Sequence, residues 1–184
     1  MPSTSICNPK QNRILGALPA NDFARINDDL ELVQLELGHV LYESGDSLSY
    51  IYFPVTCLAS LIFTTRKGAT AELAIVGNDG LVGTPAVLGG DTTTHRVVVQ
   101  SAGAAYRARV EVIRWELDQG GEFQHLALRF TQALMTQMAQ SIVCNRHHSV
   151  DQQLCRWLLL SLDRLPGNQL DMTQELIANM LGVR

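Results

Sequence analysis

YIYFPVTCLASLIFTTRKGATAELAIV, residues 50–76, is the stretch that decides the fold. It holds three runs rich in Ile, Val, Phe, Tyr, Leu and Thr (YIYFPV, CLASLIF and AELAIV), with Lys67 and Gly68 turning the chain between the second and third. Branched and aromatic side chains of this kind suit a pleated, half-buried strand. The pattern extends outward in both directions. LVQLEL and HVLY precede it, and HRVVVQ and AAYRARV follow, so that β-favouring runs occupy the chain from Leu32 to about Arg114. Turn formers separate them at Gly38, Ser44-Gly45-Asp46, Gly77-Asn78-Asp79-Gly80, Gly89-Gly90-Asp91 and Gly103. Parallel crossovers need a dozen or more residues each, and these connections are too short for them. The spacing predicts an antiparallel β-roll or jelly roll, within a chain that is mainly β with α.

Both flanks change period. Residues 12–30 carry a helical pattern in Ile14, Leu15, Leu18, Phe23, Ile26 and Leu30, interrupted at Pro19, whose ring cannot sit inside a helix. Beyond Gly121 no Gly or Pro occurs until Pro166. A helix over 122–148 would be roughly 40 Å long. Leu128, Met135 and Ile142 recur along it every seven residues, as do Thr131, Met138 and Asn145. Such a stripe needs a partner. A helix of this length outruns a small barrel, so a seam between two chains is expected, with packing on its own barrel as the alternative. A second helical stretch, 150–164, places Leu154, Trp157, Leu158 and Leu162 on one face. Pro166-Gly167-Asn168 stops it, and a third stretch begins at Thr173, whose hydroxyl can cap the exposed amides.

Composition narrows the function classes. Of 184 residues 46% are hydrophobic and 17% charged, the balance of an ordinary globular protein. No apolar run approaches the ~20 residues of a membrane span, and the first ten residues lack the order of a secretory signal, so a cytoplasmic location is expected. The net charge of -4 argues against a protein that coats nucleic acid by bulk positive charge. Residues 145–184, with 4 basic and 4 acidic groups, are less acidic than the rest. Cys7, Cys57, Cys144 and Cys155 lack the spacing of a zinc site or an iron–sulfur cluster. His147 and His148 are adjacent, so one helix face cannot present both to a metal. No HExxH, GxSxG or P-loop occurs, and no enzymatic activity is expected.

The order of these parts resembles the Crp/Fnr superfamily of bacterial transcription regulators over nearly the whole chain. TQELIANMLGV (173–183) looks like the first helix and turn of that family's winged helix-turn-helix. SVDQQLCRWLLLSLDRL (149–165) is similar to the helix that follows its dimer helix, and VGNDGLVGTPAVLGG (76–90) to the phosphate-cassette region of its cyclic-nucleotide-binding fold. The resemblance implies a sensor domain over 12–120, a homodimerising helix over 121–148, and the N-terminal part of a DNA-binding domain over 149–184. The recognition helix would begin near Arg184, so DNA is an expected partner only of a longer form. Thr173 and Gln174 are expected to face DNA phosphate, where helix amides favour anions.

The resemblance also bears on the effector. The family cassette carries a Phe-Gly-Glu segment and, further on, an arginine for the cyclic phosphate. The corresponding positions are Val82-Gly83-Thr84 and Thr94-His95-Arg96. The carboxylate for the ribose is missing. The arginine position falls on Thr94, and a loop shifted by two residues would bring in Arg96. The candidate effector residues are therefore Gly80, Gly83, Thr84, Thr94, His95 and Arg96. The favoured expectation is a small-molecule effector other than a cyclic nucleotide, or none, with cyclic-nucleotide binding through the altered cassette as the alternative. A cyclic-nucleotide-binding regulatory module without DNA binding is the rival reading.

Overall fold

The computed structural model describes residues 7–66, 68, 70–167 and 177. A turn of 3-10 helix (Pro9–Gln11) leads into α1 (Arg13–Ala17) and α2 (Ala20–Asn27). The break between them falls at Leu18 and Pro19, where the sequence puts its interruption. Seven strands follow among the described residues: β1 (Glu31–Leu35), β2 (Val40–Tyr42), β3 (Tyr50–Pro54), β4 (Leu58–Thr64), β5 (Thr70–Val76), β6 (Arg96–Ser101) and β7 (Gly103–Arg109). A short helix α3 (Thr84–Val87) sits between β5 and β6. After β7 come α4 (Val110–Asp118), α5 (Glu122–His147) and α6 (Val150–Leu162).

The strands form two antiparallel sheets, ordered β1-β7-β3 and β2-β6-β4-β5. This is the jelly-roll-like architecture that the short strands and turns predict. Ile51 and Phe53 from the first sheet meet Leu61, Val97 and Val99 from the second in one apolar core, which α1, α2, α4 and α5 also enter. Each fully buried large apolar side chain contributes roughly 1.5–3 kcal/mol. The core reaches into the long helix: Phe123, in the first turn of α5, lies edge-on to Phe53 with ring centroids 6.3 Å apart.

One segment departs from the sequence reading. β-favouring residues run to about Arg114, yet the last strand ends at Arg109 and α4 begins at Val110. Val110, Ile113 and Leu117 are buried at intervals of three and four, a helical period. The branched side chains of Val110, Val112 and Ile113 mask that period in the sequence, and tertiary packing overrides their strand preference.

Helix α6 docks on the outside of the second sheet. Its N-terminus carries a reciprocal cap, in which the Gln152 amide donates to the Ser149 hydroxyl (3.4 Å) and the Ser149 amide to the Gln152 side chain (3.0 Å). Trp157 then packs on Ile75 of β5, with Leu154, Leu158 and Leu160 around it. Ile75 points away from the barrel core while Ala74 and Val76 point into it, so strand alternation supplies the seat for α6.

Candidate functional site

The loop between β5 and α3 is tied down by a residue far away in sequence. Asn12, fully buried, donates from Nδ2 to the carbonyls of Pro54 (2.9 Å) and Gly80 (2.8 Å). Its Oδ1 accepts the amides of Ile14 and Leu15, capping α1. Gly80 lies directly under Phe130 of α5, and an added Cβ would sit 2.0 Å from that ring. Gly83 caps α3 with φ +118°, a conformation open to glycine, and a Cβ there would sit 2.4 Å from Ile51 Cδ1. The two glycines are thus packing requirements of the roll.

Gly83, Thr84 and His95 converge on a cavity beneath α3, together with Thr93, Tyr42 and Leu134. The cavity measures about 10 Å³, room for about one water. Burial pushes the His95 imidazole below its ordinary value, so it is neutral at pH 7. Among the described residues neither a guanidinium nor a carboxylate lines the cavity. Gly80, Thr94 and Arg96 lie outside its lining. Arg96 turns to the surface and donates from Nε to Glu43 (3.1 Å), with both side chains exposed. The residues present do not fit a cyclic nucleotide, which needs a cavity of at least ~300 Å³ and a cation for its phosphate.

Helix α5 separates the two sevenfold rows. Leu128, Met135 and Ile142 are 44%, 54% and 67% exposed, a continuous apolar row on the side away from the barrel. The second row divides along its length. Thr131 is buried against the barrel and donates to the Ala127 carbonyl (2.8 Å), Met138 packs against the core, and Asn145 is exposed. Among the described residues no helix is long and apolar enough to cross a membrane. Thr173 and Gln174 lie outside the described residues.

Glu72, a residue that sequence patterning does not single out, stands where three elements meet. From β5 its Oε2 accepts the Ser60 hydroxyl (2.6 Å) and the Gln100 amide (3.1 Å). Beside it Ser141 and Cys144 of α5 and Arg156 and Trp157 of α6 close a small cavity. Burial pushes the Glu72 carboxyl up to about 7, against the pull of its hydrogen bonds and of the Arg156 charge. The only sequence signal was a lone acid within an apolar strand.

Fold and site together define an antiparallel β-roll followed by a long helix with one exposed apolar row. Residues 32–119 match the model of the cyclic nucleotide-binding domain family, and the barrel has the fold of such domains. No curated protein matches the chain in sequence. Among solved structures it is similar to the c-di-GMP responsive global regulator CLP of Xanthomonas campestris, at 13% identity and TM-score 0.70, with 90% of this chain and 86% of that one covered. FixK2 of Bradyrhizobium japonicum aligns at 11% identity and TM-score 0.70, covering 84% and 78%. A chain of Eubacterium rectale assigned to the crp/fnr family of transcriptional regulators aligns at 14% and 0.67, covering 95% and 82%.

Proposed function

We propose that this chain is the sensing and dimerising part of a cytoplasmic transcription regulator of the Crp/Fnr type. The observation that carries the reading is the extent of the structural likeness. It runs through 84–95% of the chain in the regulators, and so beyond the barrel. The regulatory subunit of a cAMP-independent protein kinase A from Trypanosoma brucei, which fits the rival reading of a module without DNA binding, aligns over 67% at TM-score 0.58.

In this reading two copies of α5 pair through Leu128, Met135 and Ile142, with Asn145 at the end of the seam. Paired helices couple the two barrels to two DNA-binding domains, and an effector that favours one helix arrangement changes the spacing of the recognition helices. Thr173 and Gln174 would face DNA phosphate. Sedimentation equilibrium should show a dimer. Ile142→Asp should weaken self-association by roughly tenfold or more, because each copy then buries an unpaired charge in the seam. An unchanged dimer in this variant would displace the interface from α5. Selection from a random DNA pool with a form of the protein that carries the recognition helix should yield a two-fold symmetric site. Failure to enrich any DNA would favour the regulatory module.

The closed cavity under α3 leads to an expected result of its own. Cyclic AMP and cyclic GMP should release no heat when titrated into the folded dimer at up to millimolar concentration. Saturable binding lost in Arg96→Ala would show instead that the loop opens and recruits that guanidinium.

A further inference from the structure

Four of the chain's fourteen Lys and Arg residues converge on one groove. The groove lies between α5, α6 and the start of α1 and encloses about 660 Å³, within the usual range of small-molecule sites. Arg13, Arg129, Arg156 and Arg164 stand on its walls, and Asp79 is the acid among its lining residues. Asp79 is matched by Arg164 at 2.9 Å. The other three guanidiniums have no ion pair among the described residues. Arg13 donates to the Asp163 carbonyl (3.1 Å) and Arg156 to the Ser141 hydroxyl (3.3 Å), the latter also feeling the part-buried Glu72 beyond the groove. Arg129 is exposed and has no polar partner among the described residues. Three cations without an ion pair among the described residues, in one concavity of a chain whose net charge is -4, create a local field that selects anions.

The floor has a different character. Leu126, Phe130 and Leu160 present apolar surface between the charged walls. A ligand that satisfies both must carry several negative charges at one end and a flat apolar body at the other. Guanidinium forks match phosphate oxygens bidentately, and aromatic rings stack on bases.

We propose that this groove binds a nucleotide carrying two or more phosphates, its base on Phe130 and its phosphates between Arg13, Arg129 and Arg156. The walls belong to the parts that a regulator must couple. Arg13 and Asp79 stand on the barrel side, while Arg156 and Arg164 belong to α6 and the turn after it. Asn78 already donates its amide to the Arg164 carbonyl (3.3 Å) across the same junction. A ligand bridging these walls holds α6 against the barrel. Its role as an effector rests on the regulator reading above, whereas its binding does not.

The test is calorimetric titration of ATP and GTP into the full chain, with inorganic triphosphate and adenosine as separate arms. At least one nucleotide should bind at micromolar concentration, more tightly than triphosphate or adenosine, and the affinity should fall as salt is raised. Arg129→Ala removes an exposed side chain without a partner, so the fold should be retained, and binding should weaken about tenfold or more. Arg96→Ala should leave it unchanged. No binding of either nucleotide below millimolar, equal binding of bare triphosphate, or full affinity in Arg129→Ala would each overturn the proposal. Dimerisation and DNA selection are read independently, so failure here leaves the regulator reading standing.

Discussion

Replacing Glu72 with glutamine is expected to remove most of a stability loss of about 3 kcal/mol that the native chain undergoes between about pH 5 and pH 8. Burial holds this carboxyl at about 7 in the folded chain, against an ordinary value of 4.5. Below 4.5 the folded and unfolded chains are both protonated and nothing is lost. Between 4.5 and about 7 the unfolded chain releases the proton while the folded one keeps it, so rising pH favours unfolding. Above about 7 the folded chain also ionises, and the full cost of a buried carboxylate remains. Glutamine keeps an acceptor for Ser60 and Gln100 and carries no charge. Urea unfolding at pH 5 and pH 8 measures the effect. His95, whose charged form is disfavoured by burial, makes the opposite contribution in part of this window. The difference between native and variant chains isolates Glu72. Parallel curves for the two would show that Glu72 is hydrated in solution. Because the carboxyl joins β5 to the faces of α5 and α6, the variant should also hold α6 more firmly at neutral pH, seen as slower amide exchange around Trp157.

The second large effect is expected at Gly80. An alanine there places its Cβ 2.0 and 2.1 Å from two carbons of the Phe130 ring, far inside contact distance. Either the ring leaves its seat or the loop shifts and stretches the Asn12 hydrogen bond to the Gly80 carbonyl. Overpacking of this kind costs about 2–3 kcal/mol, to be read from the urea midpoint at constant slope. The cause is testable by a double-mutant cycle. In a Phe130→Ala background the alanine at position 80 should cost less than about 1 kcal/mol, the remainder being the coupling with the ring. Equal costs in both backgrounds would place the strain in the loop itself.

These two residues show how unevenly the molecule can be read from its sequence. Strands and helices are local, and their periods survive without any knowledge of neighbours. The seven β-favouring runs correspond to β1 through β7, and Pro19 divides α1 from α2. Helix α4 escaped because its first residues favour strands. Position 80 reads as one more turn glycine, and only the packing of α5 shows that a ring occupies the space of its side chain. Glu72 reads as a surface acid on an alternating strand until α6 is laid over it.

By itself the sequence determined the class of the molecule: short antiparallel strands closing a roll, then a long helix with a sevenfold apolar repeat. It could do so because alternation and helical spacing depend on residues a few places apart. Tertiary structure alone decided which row of α5 is free, because two rows share the same spacing and the packing of Phe123, Ala127 and Leu134 sets the rotation of the helix. It decided that Arg96 faces Glu43 and not the cavity under α3. It also gathered Arg13, Arg129 and Arg156 into one groove. Those residues lie far apart in the chain, and charge carries no periodicity that would relate them. Their meeting depends on how the helices cross the barrel, a long-range outcome of core packing.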